Sequence, residues 1–404
     1  MKELFANLTV LLAFSLSAMS CSDRGVEVYV PVDNGGKPAG GTEVPTKSKG
    51  WSALADSCET VLIENFMNLK EGTFWGTPFD ISKNSGNLYW QQAHAMDVLV
   101  YAYERLKDSD KDRAEKLRGY MKLWYANDAH NYNNSHEGEG VAGHFYNDWI
   151  DDMAWICLTL IHMSEALDDA TYADTAMQVY DKYIITKRQA DGGLPWTHLS
   201  GTEMERENEC TNAPACLVAA KLYLRYSKKS YLDDALGLYE FVRTKLLLSD
   251  YRLGEPPLSY TQGTFAEACR QLFKITGETK YMTDAAKLLH YAFTSNRCTT
   301  NGILRSEGTD NDQALFKGIL IPYTVNYILD SKCTTYSDDL LALMVKNAEA
   351  LDKHLDRSRY PQMYVNYYWG ENFNYNNIAS MCSQASGSHL IEGMARLQQA
   401  GALK

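Results

Sequence analysis

Two aspartates stand side by side in NDWIDDMAWICLTL (Asn147–Leu160): Asp151 and Asp152. The run that follows is apolar on every side (Met153, Trp155, Ile156, Leu158, Leu160, Ile161), and Trp149 and Trp155 flank the pair. Asp148 is placed to cap a helix here, which puts both acids in its first turn. Acids in a first turn complement the macrodipole and the free N–H groups, and one would suffice for that. Two neighbouring carboxylates at the sheltered mouth of a buried helix cannot both ionise cheaply, so their pKa values are driven apart. One ionised and one protonated carboxyl is the division of labour that acetal hydrolysis between sugars requires. One attacks the anomeric carbon or activates water, and the other protonates the leaving oxygen. A separation of about 5–5.5 Å suits direct attack and retention of configuration.

Other residues of similar promise sit at the starts of similar helices. Trp90 and His94 open one, with Asp97 a turn on. Asn208 and Asn212 open a second, either as cap and first-turn group or as hydroxyl-binding amides. Tyr260 and Gln262 precede a third and offer a stacking ring and an amide. Lys317, beside Phe316, is either a cation near the acids or a solvated charge. The aromatic run Tyr364–Asn377 (YVNYYWGENFNYNN) is either a cleft wall or loop packing. HEGEGVAGH, with His136, Glu137, Glu139 and His144, lacks the HExxH spacing and lies in a Gly-rich loop, so no metal site is expected. No P-loop, dinucleotide fingerprint or GxSxG is present, and no cofactor is expected.

These residues need elements to hold them. From Trp51 onward apolar residues recur at three and four, with no convincing strand pattern. TYADTAMQVYDKYI, SYLDDALGLYEFV and KYMTDAAKLLHYAF resemble one another. Each carries a Tyr (172, 231, 281) and an Ala four residues later (176, 235, 285), which gives a unit of about 50–60 residues. Each follows a more uniformly apolar helix across a short polar link, which makes αα-hairpins with a buried inner and a half-exposed outer member. QQAHAMDVLVYAYERL with KDRAEKLRGYMKLWYA forms another pair, and FKGILIPYTVNYILD with SDDLLALMVKNAEALDKHL a fifth. Cys58–Leu69 is expected to act as outer partner of the C-terminal IASMCSQASGSHLIEGMARLQQ and to close the ring. The expected fold is all-α, a closed (α/α)6 toroid, since no polar capping repeats appear. The long loops Ala126–Asp148, Gln189–Thr211, Leu248–Gly263 and Thr294–Leu315 should then open at one end, over the helix starts that carry the candidate residues.

A net charge of -12 argues against nucleic acid and against anionic membrane surfaces. The aromatic excess, 27 Tyr and 8 Trp, suits sugar stacking as well as a core. Residues 1–20 read as a signal peptide of lipoprotein type: Lys2, the apolar run Leu4–Met19, then Ser20 and Cys21, the expected lipidation site. Residues 21–50, rich in Gly, Pro, Thr and Lys, read as a flexible tether, and 51–404 as the catalytic domain. A membrane-anchored, extracytoplasmic monomer is expected, touching membrane only through its lipid. Several of the eight remaining cysteines fall on apolar helical faces, where a free thiol behaves as a small hydrophobe.

The chain resembles glycoside hydrolase family 76, the bacterial endo-α-1,6-mannanases. The resemblance rests on WQQAHAMDVLVYAYERL at Trp90, IDDMAW at Ile150, GGLPW at Gly192 and NECTNAPACLVAAKLY at Asn208. YTQGTFAEACRQLFKITGE at Tyr260, the Asp312…FKGIL stretch and SQASG at Ser383 complete the set. It covers roughly Trp51 to Gln399 and implies an (α/α)6 toroid, retention of configuration, no metal and an α-mannan substrate. It further implies Asp151 as nucleophile and Asp152 as acid/base. The aromatic that often precedes the pair in that family is Ile150 here. Two other expectations compete: an (α/α)6 hydrolase of unsaturated uronides, and a non-catalytic glycan-binding surface lipoprotein.

Overall fold

The structure, a computed structural model, describes residues 50–79, 88–127, 134–201 and 206–403. The expected signal peptide, Cys21 and the tether up to residue 49 lie outside the described residues. Among those described, no helix is long and apolar enough to cross a membrane.

Five helical hairpins follow in chain order. They are α2 (Trp90–Leu106) with α3 (Lys111–Ala126), α5 (Ile150–Leu167) with α6 (Ala170–Val179), and α7 (Glu209–Tyr226) with α8 (Lys229–Phe241). Then come α9 (Ser259–Thr276) with α10 (Thr279–Thr294) and α11 (Phe316–Leu329) with α12 (Ser337–His354). A sixth unit pairs the two ends of the domain: α13 (Met381–Gln399) packs on α1 (Gly50–Phe66). The short α4 (Val141–His144) and two small antiparallel ribbons, β1 (Met67–Asn68) with β2 (Thr73–Phe74) and β3 (Thr299–Thr300) with β4 (Ile303–Leu304), belong to the connections. The closing outer helix begins at Gly50 rather than Cys58, because Trp51, Leu54 and Ala55 extend its packed face by two turns.

The inner helices α2, α5, α7, α9, α11 and α13 each pack on the next, and α13 returns to α2. This is the closed (α/α)6 toroid. Small residues set how tightly the ring draws in. A Cβ on Gly263 of α9 would meet Leu320 Cα at 2.8 Å, and one on Gly318 of α11 would meet Ser386 Cα at 2.6 Å, so neither helix could approach its neighbour with a side chain there.

The sequence repeat corresponds to one recurring contact. Ala176, Ala235 and Ala285 are fully buried where the outer helices touch the inner ones. The thiols of Cys157 and Cys216 lie 3.5 and 3.3 Å from the carbonyls of Ala176 and Ala235. All eight described cysteines are buried and free. At the far end of the ring α5, α7 and α9 each stop on a left-handed residue, Asp168, Ser227 and Gly277. Each reverses the chain into its outer partner within a few residues.

Candidate active site

With every inner helix entering from the same end, their first turns converge. Five of the six starts, those of α2, α5, α7, α9 and α11, line one cleft of about 800 Å³. Its floor is aromatic. Tyr260 stacks on Phe316 at 4.2 Å, Phe316 on Trp90 at 6.1 Å, and Trp155 leans on both Tyr260 and Trp90. Trp149 and Trp196, 4.9 Å apart, build one wall.

Asp151 and Asp152 both line this cleft. Their helix is not capped by Asp148, whose carboxylate instead accepts from the Tyr146 hydroxyl at 3.1 Å. The chain is fixed here by Asn147, whose side-chain oxygen accepts from Trp149 N–H, and by Ile150 N–H donating to the Trp196 carbonyl. Asp151 Oδ2 accepts from the indole N–H of Trp196 at 2.9 Å, and its Oδ1 makes no hydrogen bond among the described residues. Asp152 Oδ2 accepts from the Asn147 amide at 3.0 Å.

Burial drives both carboxyls up from the usual range. For Asp151 the Trp196 N–H works against that rise. For Asp152 the charges of Asp151 and then Asp312 add to it. The pair thus titrates as one unit and shares a proton.

Asp312 opens the Asp312…FKGIL stretch, and nothing in its local sequence marks it as a site residue. It lies in the cleft, accepts from the Gln91 amide at 2.5 Å, and is itself raised, first by burial. Trp196, the last residue of GGLPW, is likewise unmarked by its local sequence. Both reach Asp151 and Asp152 from other loops, a juxtaposition that no local spacing encodes.

Of the substrate-binding candidates, Trp90, Asn208 and Tyr260 line the cleft. Asn208 also caps α7, its side chain accepting from Thr211 N–H at 2.9 Å. Four others do not line it. His94, one turn below Trp90, lies beneath the floor against Trp90 and Trp155. Burial lowers its pKa to about 3, which keeps the ring neutral. Asn212, one turn below Asn208, clamps the Leu194 backbone, donating to its carbonyl at 2.9 Å and accepting its N–H at 2.8 Å.

Gln262 and Lys317 are turned away by helical geometry, since successive residues step by about 100°. With Tyr260 in the cleft, the Gln262 amide meets the Tyr251 carbonyl and Leu253 N–H when oriented to satisfy both. With Phe316 in the cleft, Lys317 points into the interior. There it donates to the Tyr367 carbonyl and sits 5.1 Å from the Trp369 ring centroid. The aromatic run is loop packing: Tyr364 contacts Phe66 and Phe373, and its hydroxyl donates to Asn65. In HEGEGVAGH, His136 pairs with Glu139, and among the described residues no three His, Cys, Asp or Glu converge on a metal position.

Among the described residues the cleft lining includes seven carboxyl side chains (Asp151, Asp152, Glu207, Glu209, Glu255, Asp310 and Asp312) against one cation, Arg206. Such a lining repels anionic ligands and suits neutral hydroxylated ones.

The model of glycosyl hydrolase family 76 matches residues 55–403. Among solved structures, one similar to this chain is an inactive variant of the α-1,6-mannanase GH76A of Salegentibacter sp. HEL1_6, with two consecutive aspartates replaced by alanine, in complex with α-1,6-mannotetrose. It is 21% identical with a TM-score of 0.72 over 85% of this chain and 98% of that one. The family 76 mannosidase Bt3792 of Bacteroides thetaiotaomicron is 18% identical, with a TM-score of 0.66 over 87% and 99%. Dfg5 of Chaetomium thermophilum, in complex with glucosamine, is 12% identical, with a TM-score of 0.68 over 90% and 93%. A comparison with curated proteins gives no match.

Proposed function

This chain belongs to glycosyl hydrolase family 76, and on that premise we propose that it is an endo-acting α-1,6-mannanase that works with retention of configuration. The observation that carries the proposal is the paired carboxyls of Asp151 and Asp152 in one aromatic-floored cleft, one tied to an indole N–H and both raised by burial. Asp151 attacks the anomeric carbon and forms a glycosyl-enzyme. Asp152 gives its proton to the departing glycosidic oxygen, then takes one from the incoming water. Trp90 and Tyr260 offer ring faces to the mannose units, and Asn208 an amide edge. The cleft volume exceeds what one hexose fills, which supports cleavage within a chain. The scarcity of cations disfavours the uronide reading.

Incubation with debranched α-1,6-mannan tests this directly. A ladder of oligosaccharides should appear early, and the first-formed reducing ends should be α by NMR. Release of mannose alone would sink endo action, and first-formed β ends would sink retention.

The shared proton makes a second expectation. Trp196→Phe removes the N–H held by the Asp151 carboxylate, a bond to a charged group worth about 1.5–3 kcal/mol, so kcat should fall roughly ten- to hundred-fold. Asp151 must be ionised to attack. Losing that donor raises its pKa, so the acidic limb of the pH–rate profile moves to higher pH. Asp312→Asn removes a negative charge facing Asp152. Asp152 then gives up its proton more readily, and the alkaline limb moves to lower pH. Limbs that stay fixed in both variants would refute the electrostatic assignment.

A further inference from the structure

A second hollow, of about 390 Å³, lies on the outer wall of the ring. Its lining includes Asp250 and Tyr251 from the loop between α8 and α9, Lys287, His290 and Tyr291 from α10, and Tyr336 just before α12. The Tyr336 ring stacks on His290 at 4.0 Å and remains 37% exposed. The Lys287 ammonium sits 4.6 Å from the Tyr251 ring centroid. The Tyr291 hydroxyl has no hydrogen-bond partner among the described residues.

Two of these residues are held in an unusual backbone state. Tyr251 and Tyr336 have φ of 67° and 60°, the left-handed region where a side chain crowds the following carbonyl and glycine is favoured. Two bulky tyrosines kept in that conformation, both facing one hollow, are unfavourable for folding alone. Backbone strain of this kind gathers where a ligand is held.

The hollow also adjoins the cleft. The loop that supplies Asp250 and Tyr251 supplies Glu255 and Leu258 to the cleft lining. Four residues span at most about 14 Å. Arg297, just past Ser295 at the hollow, bonds to Glu255 at the cleft. The exposed Tyr336 ring beside the Asp250 carboxylate and the Lys287 ammonium matches a pyranose, which presents an apolar C–H face and a polar edge.

We infer that this outer hollow is a second glycan-binding site, which holds a stretch of the same neutral mannan chain outside the cleft. The inference rests on the substrate being a polymer, as proposed above.

The test uses Tyr336→Gly, which removes the ring and relieves the left-handed backbone, and His290→Ala, which removes the ring it stacks on. Tyr336→Gly should melt no lower than wild type. In both variants KM for long α-1,6-mannan should rise about five-fold or more, while kcat and KM for mannotetraose stay within two-fold. Equal effects on polymer and tetrasaccharide, or none on either, would overturn the second site. Retention on immobilised α-1,6-mannan separates this from the hydrolase assignment. If the wild type cleaves neither substrate, retention of the wild type with early elution of Tyr336→Gly still supports the hollow. Failure of the wild type to be retained overturns it.

Discussion

Replacing Asp151 with asparagine is expected to lower kcat on linear α-1,6-mannan by roughly 10⁴- to 10⁶-fold, the scale seen when one member of a concerted catalytic unit is removed. The geometry leaves no substitute. The Trp196 N–H fixes one oxygen of Asp151 and its other oxygen makes no hydrogen bond among the described residues. An amide at this position would place a poor nucleophile there. Asp152→Asn should be comparably slow on mannan, since the departing sugar oxygen then leaves unprotonated. It should lose far less on an aryl mannoside with an acidic phenol, which needs no proton to leave. Added azide separates the two roles. In Asp152→Asn it should intercept the glycosyl-enzyme and give an α-mannosyl azide. In Asp151→Ala it should attack from the vacated face and give the β-azide. Both variants should keep the helical circular dichroism of the parent. Near-normal turnover in either, or the same azide anomer from both, would remove the basis of the mechanism.

Arg105→Ala is expected to destabilise the fold by about 3–5 kcal/mol, the cost of leaving a buried carboxylate unpaired. Arg105, in the last turn of α2, holds Glu392 of α13 at 2.8 Å and Asp56 of α1 at 2.8 Å. Arg105 and Glu392 are 4% and 3% exposed, so water cannot take over the missing bonds. This cluster lies where the last hairpin meets the first, and it locks the ring shut. Glu392→Ala should destabilise less, because Asp56 still holds the guanidinium at 2.8 Å. The double variant Arg105→Met/Glu392→Leu should recover most of the loss, since an apolar pair of similar volume carries no desolvation cost. Asp56 would still have Arg113 at 3.3 Å. Urea unfolding of the four proteins measures all of this. If the double variant is as unstable as the singles, packing rather than charge pairing is what the cluster supplies.

Much of this architecture is written locally. The three-and-four spacing, the Tyr and Ala repeat and the short polar links identify six hairpins, because each outer helix must bury one face and each inner helix several. The junction of long loop and apolar helix likewise marks where side chains can converge, and Trp90, Asn208, Tyr260 and the aspartate pair fall there on that ground. Residues one or two positions further on, namely Gln262, Lys317, Asn212 and His94, look equally promising on paper. A rotation of about 100° per residue and one turn of depth carry them into the interior.

What the chain by itself determined is the helical count, the order of the hairpins and the presence of two acids where one would cap. All of these follow from interactions within a few residues of each other. The tertiary structure alone decided which oxygen of Asp151 is held, by an indole 45 positions along the chain, and that Asp312 faces Asp152. It alone made ring closure rest on Arg105 and Glu392, 287 positions apart. Such contacts depend on how helices from distant segments are turned against one another, and that is set by packing of the whole ring.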